Sequence, residues 1–158
     1  MNQGDSVAAQ LASELEGRLE KWAPDHDLNL MTPAQTLAQS TSRIRAATEA
    51  VLLNERPDMV VVQGDTTTTL AGALGAFYQG IPVGHIEAGL RTWDLAQPFP
   101  EEMNRVVTTR LSALHFAPTA AAARNLRSEG VPRNVSRLPG TLASIRSSGY
   151  AMPCGMGV

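Results

Sequence analysis

Apolar residues fall into two rhythms along the chain. Over residues 6–22, Ala8, Leu11, Leu15 and Leu19 recur every three or four positions, with Glu14, Glu16, Arg18 and Glu20 between them. This is the period of an amphipathic helix, and Pro24 closes it. After a short extended stretch at 25–33, Pro33 is expected to open a second helix over 33–54, with Leu37, Ile44, Ala47 and Val51 as its stripe. Beyond Pro57 the rhythm changes. Met59-Val60-Val61-Val62 is a continuous run rich in β-branched residues and reads as a strand buried on both faces. Helices follow over 67–79, 101–113 and 119–129, alternating with strands over 81–86, 114–117 and 135–138. Gly80, Gly130 and Pro132 punctuate them, and residues 89–100 form a long loop.

Strand and helix alternating in this way predict an α/β fold. The expected form is a Rossmann-like parallel sheet with helices on both faces. Sheets of this kind bind ligands outside the carboxyl ends of their strands, so the residues just after each strand carry the functional interest. Composition narrows the partners. The 158 residues suit one domain, and with aromatics at 4% the core must be built from Ala, Val, Leu and Ile. A net charge of −2 without a basic run argues against nucleic acid. No apolar run reaches membrane-spanning length. The first residues lack the pattern of a secretory signal, and a single cysteine, Cys154, can form no internal disulfide. A cytoplasmic location is expected.

Three carboxylates stand where such a sheet presents ligands. Asp65 opens the Gly64-Asp65-Thr66-Thr67-Thr68-Thr69 turn after the first valine strand. It could cap the following helix, or point into the crevice beside the free N–H groups of the helix start, which favour anions. Glu87 ends the next strand in His85-Ile86-Glu87, with Arg91 as a candidate partner. By strand alternation His85 and Glu87 share a side. In the third segment, Pro100-Glu101-Glu102-Met103-Asn104-Arg105, Met103, Val107, Leu111 and Leu114 form an apolar stripe. Glu101 and Arg105 lie opposite it, either as a surface ion pair or facing a cleft. In a cleft Arg105 would hold a phosphate or carboxylate, and Glu101 would move a proton. A metal site is disfavoured, because no second His joins His85 at ligand spacing. Neither a P-loop nor a dinucleotide fingerprint is present.

In order and spacing, Gln63-Gly64-Asp65-Thr66-Thr67-Thr68-Thr69, the 81–92 segment Ile-Pro-Val-Gly-His-Ile-Glu-Ala-Gly-Leu-Arg-Thr, Pro100-Glu101-Glu102 with Asn104-Arg105, and His115-Phe116-Ala117-Pro118-Thr119 resemble the non-hydrolysing UDP-N-acetylglucosamine 2-epimerases. The likeness covers about residues 25–131. It implies part of the first domain of a GT-B type fold, with the site in a cleft between two domains. The implied reaction interconverts UDP-N-acetylglucosamine and UDP-N-acetylmannosamine, through loss of the sugar's second-carbon proton, expulsion of UDP and its re-addition to 2-acetamidoglucal. The resemblance implies Asp65, Glu87 and Glu101 as catalytic positions and Arg105, His85, Thr66 and Thr67 as substrate-binding ones. It implies no metal and no cofactor, a UDP-sugar as partner, and a homodimer or a complementing chain. Cell-envelope polysaccharide synthesis is the pathway it suggests.

The chain also departs from that family. Its opening strand with a Gly-Thr-Arg-Pro-Glu loop, a Gln-His motif and the second domain are absent from the sequence. The expected layout is a divergent helix at 1–24, a partial Rossmann-like domain at 25–139 and a divergent, disordered tail at 140–158. A truncated piece inactive alone is therefore expected. A non-catalytic UDP-sugar-binding or interaction module, or a fragment of a hydrolysing epimerase, are the alternatives.

Overall fold

The computed structural model describes residues 24–132 and the backbone of residues 136–137. The helix expected over 6–22, most of the divergent tail and Cys154 lie outside them. The chain divides into two compact units, residues 1–30 and 31–158. In the first, the described stretch 24–30 is irregular, with the Asn29 N–H donating to Asp27 Oδ1 at 3.0 Å.

The second unit runs α1 (Leu37–Glu55), β1 (Val60–Gln63), α2 (Thr67–Tyr78), β2 (Val83–Ile86), α3 (Glu101–Leu111), β3 (Leu114–Phe116), α4 (Ala120–Ser128) and β4 (Ser136–Arg137). Helix α1 begins later than Pro33 suggests. Thr36 is its N-cap, and the reciprocal hydrogen bonds with Gln39 complete a capping box. Thr119 caps α4 in the same way, accepting from the Ala122 N–H at 3.1 Å. No helix among the described residues is long and apolar enough to cross a membrane.

The four strands are parallel and lie in the order β1-β2-β3-β4. Each connection steps the same way across the sheet. Right-handed crossovers then bring α2, α3 and α4 to one face. Burial agrees: Val83, His85 and His115 are buried on that face. Leu52 of α1 joins the same layer, in a cluster with Ala73, Ala76 and Val83. Small residues make the close layering possible. A Cβ on Gly75 would already lie 3.5 Å from Thr48 of α1.

The opposite face differs from expectation. Val61 is 56% exposed, so β1 is not buried on both faces, and the described helices cover one face of the sheet. On the open side a Cβ at Gly84 would meet Phe116 at 3.4 Å and Val61 at 3.6 Å. A parallel run of valines therefore reads as doubly buried only when a second helical layer is present.

Candidate active site

The turn after β1 sets the geometry. Gly64 takes φ +77°, a conformation that costs a residue with a Cβ. Its N–H donates to the Ile86 carbonyl at 3.0 Å. Its own carbonyl accepts from His85 Nε2 at 2.8 Å. A carbonyl can only accept, which places the imidazole proton on Nε2. His85 is fully buried. It therefore supports the turn from beneath. Burial is the main cause that holds its pKa below 6.5; the His115 and Arg91 charges act in the same direction, against the Gly64 hydrogen bond and Asp65.

Thr66, not Asp65, caps α2. Its hydroxyl accepts from the Thr69 N–H at 3.2 Å, and Thr69 Oγ1 in turn donates to the Gln63 carbonyl at 2.5 Å. The threonines thus take over the capping work, and the Asp65 carboxylate is released for another partner. That partner is Arg105, whose Nη2 donates to Asp65 Oδ2. Asn104 Nδ2 fixes the same residue by its backbone, donating to the Asp65 carbonyl at 2.8 Å. Helix α3 therefore grips Asp65 at two points.

The helical phase of α3 explains this grip. Glu102, Asn104, Thr108 and Thr109 are buried, while Val107 is 37% exposed. The polar arc is thus the more buried face, although Leu111 of the stripe packs against the core. At about 100° per residue, Arg105 falls within the buried polar arc, and it faces neighbours where a surface pair with Glu101 was one reading. Its side chain is 12% exposed, and its Nη1 lies 3.2 Å from Glu102 Oε2. Glu102 Oε1 also accepts the N–H groups of Thr92 and Trp93, each at 3.0 Å. Glu101 stands at the start of the same helix, near Asn104. It lines an open cavity of about 410 Å³ together with Thr66, Thr67 and the apolar Met31, Leu37 and Ile44.

Glu87 leaves the strand at φ +66°. Strand alternation therefore stops at Ile86, and Glu87 does not follow His85 into the core. A residue other than glycine in this region is strained, and such strain gathers at functional sites. Gln63 Nε2 donates to its Oε1 at 3.0 Å, and its Oε2 lies 3.6 Å from where a Gly64 Cβ would stand. Arg91 is not its partner. Arg91 is buried against Glu129, with Nε to Oε1 at 2.5 Å, and donates to Thr109 Oγ1 at 2.8 Å.

The structure thus brings Asp65, Arg105 and Glu102 into one group, sets Glu87 beside the Gly64 turn, and places Glu101 with Thr66 and Thr67 on the cavity wall. Sequence reasoning passed over Glu102, Asn104 and Gln63. Two consecutive threonines and an asparagine on one helix were the available signal that its polar side faces inward. Among the described residues, no group of three or more His, Cys, Asp or Glu side chains is disposed to hold a metal ion.

Residues 5–138 match the family model described as UDP-N-acetylglucosamine 2-epimerase. The chain belongs to the UDP-N-acetylglucosamine 2-epimerase family. A probable UDP-N-acetylglucosamine 2-epimerase of Ralstonia solanacearum is 54% identical over 131 residues, which are 82% of this chain and 35% of that protein. The UDP-N-acetylglucosamine 2-epimerase of Escherichia coli K12 is 55% identical over 127 residues, 79% of this chain and 34% of its own length. Among solved structures, the Neisseria meningitidis epimerase bound to UDP-GlcNAc superposes with a TM-score of 0.71 at 52% identity, covering 73% of this chain and 31% of that one. The Methanocaldococcus jannaschii epimerase in complex with UDP-GlcNAc and UDP gives 0.69 at 46% identity, covering 73% and 31%. The chain spans about a third of the length of these relatives. Its fold is that of a partial GT-B type domain, and the family resemblance drawn from motif order is borne out.

Proposed function

We propose that this chain supplies the proton-handling side of a non-hydrolysing UDP-N-acetylglucosamine 2-epimerase site. The observation that carries the reading is Asp65, held by Arg105 at the carboxyl end of β1, with Glu87 beside the same turn. One carboxylate among Asp65, Glu87 and Glu101 takes the proton from the sugar's second carbon, while the bond from the first carbon to UDP breaks. This leaves 2-acetamidoglucal and UDP. Return of a proton on the opposite face, with re-addition of UDP, gives the manno epimer. A carbon acid of high pKa needs a placed base together with stabilisation of the leaving group.

The start of α2 supports the second requirement. First-turn N–H groups have no intrahelical partner and favour anions. The exposed Thr66 and half-buried Thr67 add hydroxyls there on the cavity wall. Arg105 adds a cation whose charge is shared between Asp65 and Glu102. The UDP-sugar is the substrate in this reading. The remaining contacts to UDP come from a further domain or a complementing chain, in a monomer or a homodimer.

The test is proton NMR of the chain with UDP-N-acetylglucosamine in heavy water. With the further domain supplied as a complementing chain, the expected result is exchange of the second-carbon proton and appearance of the manno epimer, and the chain alone should show neither. Asp65→Asn and Glu101→Gln should each slow exchange by at least about a hundredfold, the range of a lost acid or base. Exchange undiminished in both variants overturns the assignment. A completed site that binds the nucleotide sugar without exchange overturns the catalytic reading in favour of a binding module.

A further inference from the structure

We propose that Glu102 is a positioning residue of this site, acting through Arg105; the proposal rests on the epimerase reading above. Glu102 is fully buried, and its two carboxylate oxygens have separate tasks. Oε1 accepts both N–H groups of the Thr92–Trp93 turn. Oε2 faces Arg105 Nη1 at 3.2 Å, as an ion pair without an aligned hydrogen bond. The other arm of the guanidinium, Nη2, is on Asp65. Arg105 Nε is buried and has no hydrogen-bond partner. One cation is thus suspended between two carboxylates, and its orientation depends on both.

A purely structural carboxylate would need only its accepting oxygen. Anchoring a turn uses Oε1 alone, and an amide oxygen would serve equally well. The charge on Oε2 is explained by Arg105. Without it, the guanidinium loses one of its two guides and Asp65 loses a fixed counter-charge. Glutamine at this position separates the two tasks. Its oxygen can keep the Thr92 and Trp93 contacts, while its NH₂ would set a donor against a donor at Arg105.

The experiment is NMR of the labelled 158-residue chain, wild type and Glu102→Gln, reading amide exchange at Thr92 and Trp93 and the guanidinium signals of Arg105. The expected result is amide protection at both positions within about threefold of wild type, showing the turn intact. The Arg105 signals should meanwhile lose their slow-rotation pattern. UDP-N-acetylglucosamine should bind at least about tenfold more weakly to the variant. An unchanged Arg105 signature, or unchanged affinity where the wild type binds, overturns the proposal.

If Glu102→Gln does not fold, Asp65→Asn provides the second arm. An asparagine oxygen can still accept from Arg105 Nη2 there while Glu102 still faces Nη1, so the guanidinium signature should persist, and its loss would overturn the assignment. The guanidinium and amide readouts need no nucleotide sugar. Failure of the wild type to bind UDP-N-acetylglucosamine would count against the epimerase reading and leave these signatures unaffected.

Discussion

Gly89 sits at φ +88°, and a Cβ there would lie 2.3 Å from the Ala122 carbonyl oxygen of α4. No rotamer change relieves a clash with backbone, so Gly89→Ala should cost at least about 3 kcal/mol, combining left-handed strain with overpacking. Urea unfolding measures it directly. The two buried histidines make a second claim at this scale. His85 and His115 both have pKa values held below 6.5, chiefly by burial, against hydrogen bonds to the Gly64 and Thr109 carbonyls. Below pH 6.5 the unfolded chain therefore takes up protons that the folded one refuses. Stability should fall as pH drops from 6.5 towards the lowered values and hold steady above it. Unfolding midpoints at pH 7.5 and 5.5 check the sign, and a higher midpoint at 5.5 would contradict it. That Asp65 and Glu101 stand at the starts of α2 and α3 was legible from turn positions. The full burial of His85 was not legible, because period-2 alternation gives a side, not a depth. Glu87 was misread for a different reason: its positive φ ends the alternation on which its direction depended.

Helices and strands came through the hydrophobic rhythm nearly everywhere among the described residues, with ends shifted by one to four positions. Caps explain the shifts. Thr36 starts α1 beyond Pro33, and Thr66 displaces Asp65 from the cap of α2. The inward face of α3 was left open between a surface pair and a cleft. An apolar stripe normally marks the core side, but here the helix packs a buried polar arc against the β1 turn and the 92–93 loop. Partners distant in sequence decide that face, and a helical wheel does not show them. The pairing of Arg91 with Glu129 was invisible for the same reason, since 38 residues separate them. That pair ties the loop after β2 to the end of α4, with the Arg91 side chain fully buried and that of Glu129 10% exposed. Arg91→Ala leaves a carboxylate uncompensated and should cost about 3–5 kcal/mol. Denaturant titration tests this, and a loss below about 1 kcal/mol, the scale of a surface pair, would refute it.

The parallel α/β class followed from alternation, and the stepwise strand order follows once crossovers are right-handed. The exposure of Val61 was not legible, because a run of valines carries no record of which face is covered. The sheet still does what this architecture requires for function. It delivers the Asp65 turn, Glu87 and the start of α3 to the same end of the molecule. Backbone NMR of the 158-residue chain titrated with UDP-N-acetylglucosamine tests that convergence most directly. Shifts concentrated at residues 64–69, 85–89 and 101–105, and abolished by Arg105→Ala, are the predicted result. Shifts centred on any other part of the chain, or a pattern indifferent to Arg105, would contradict it.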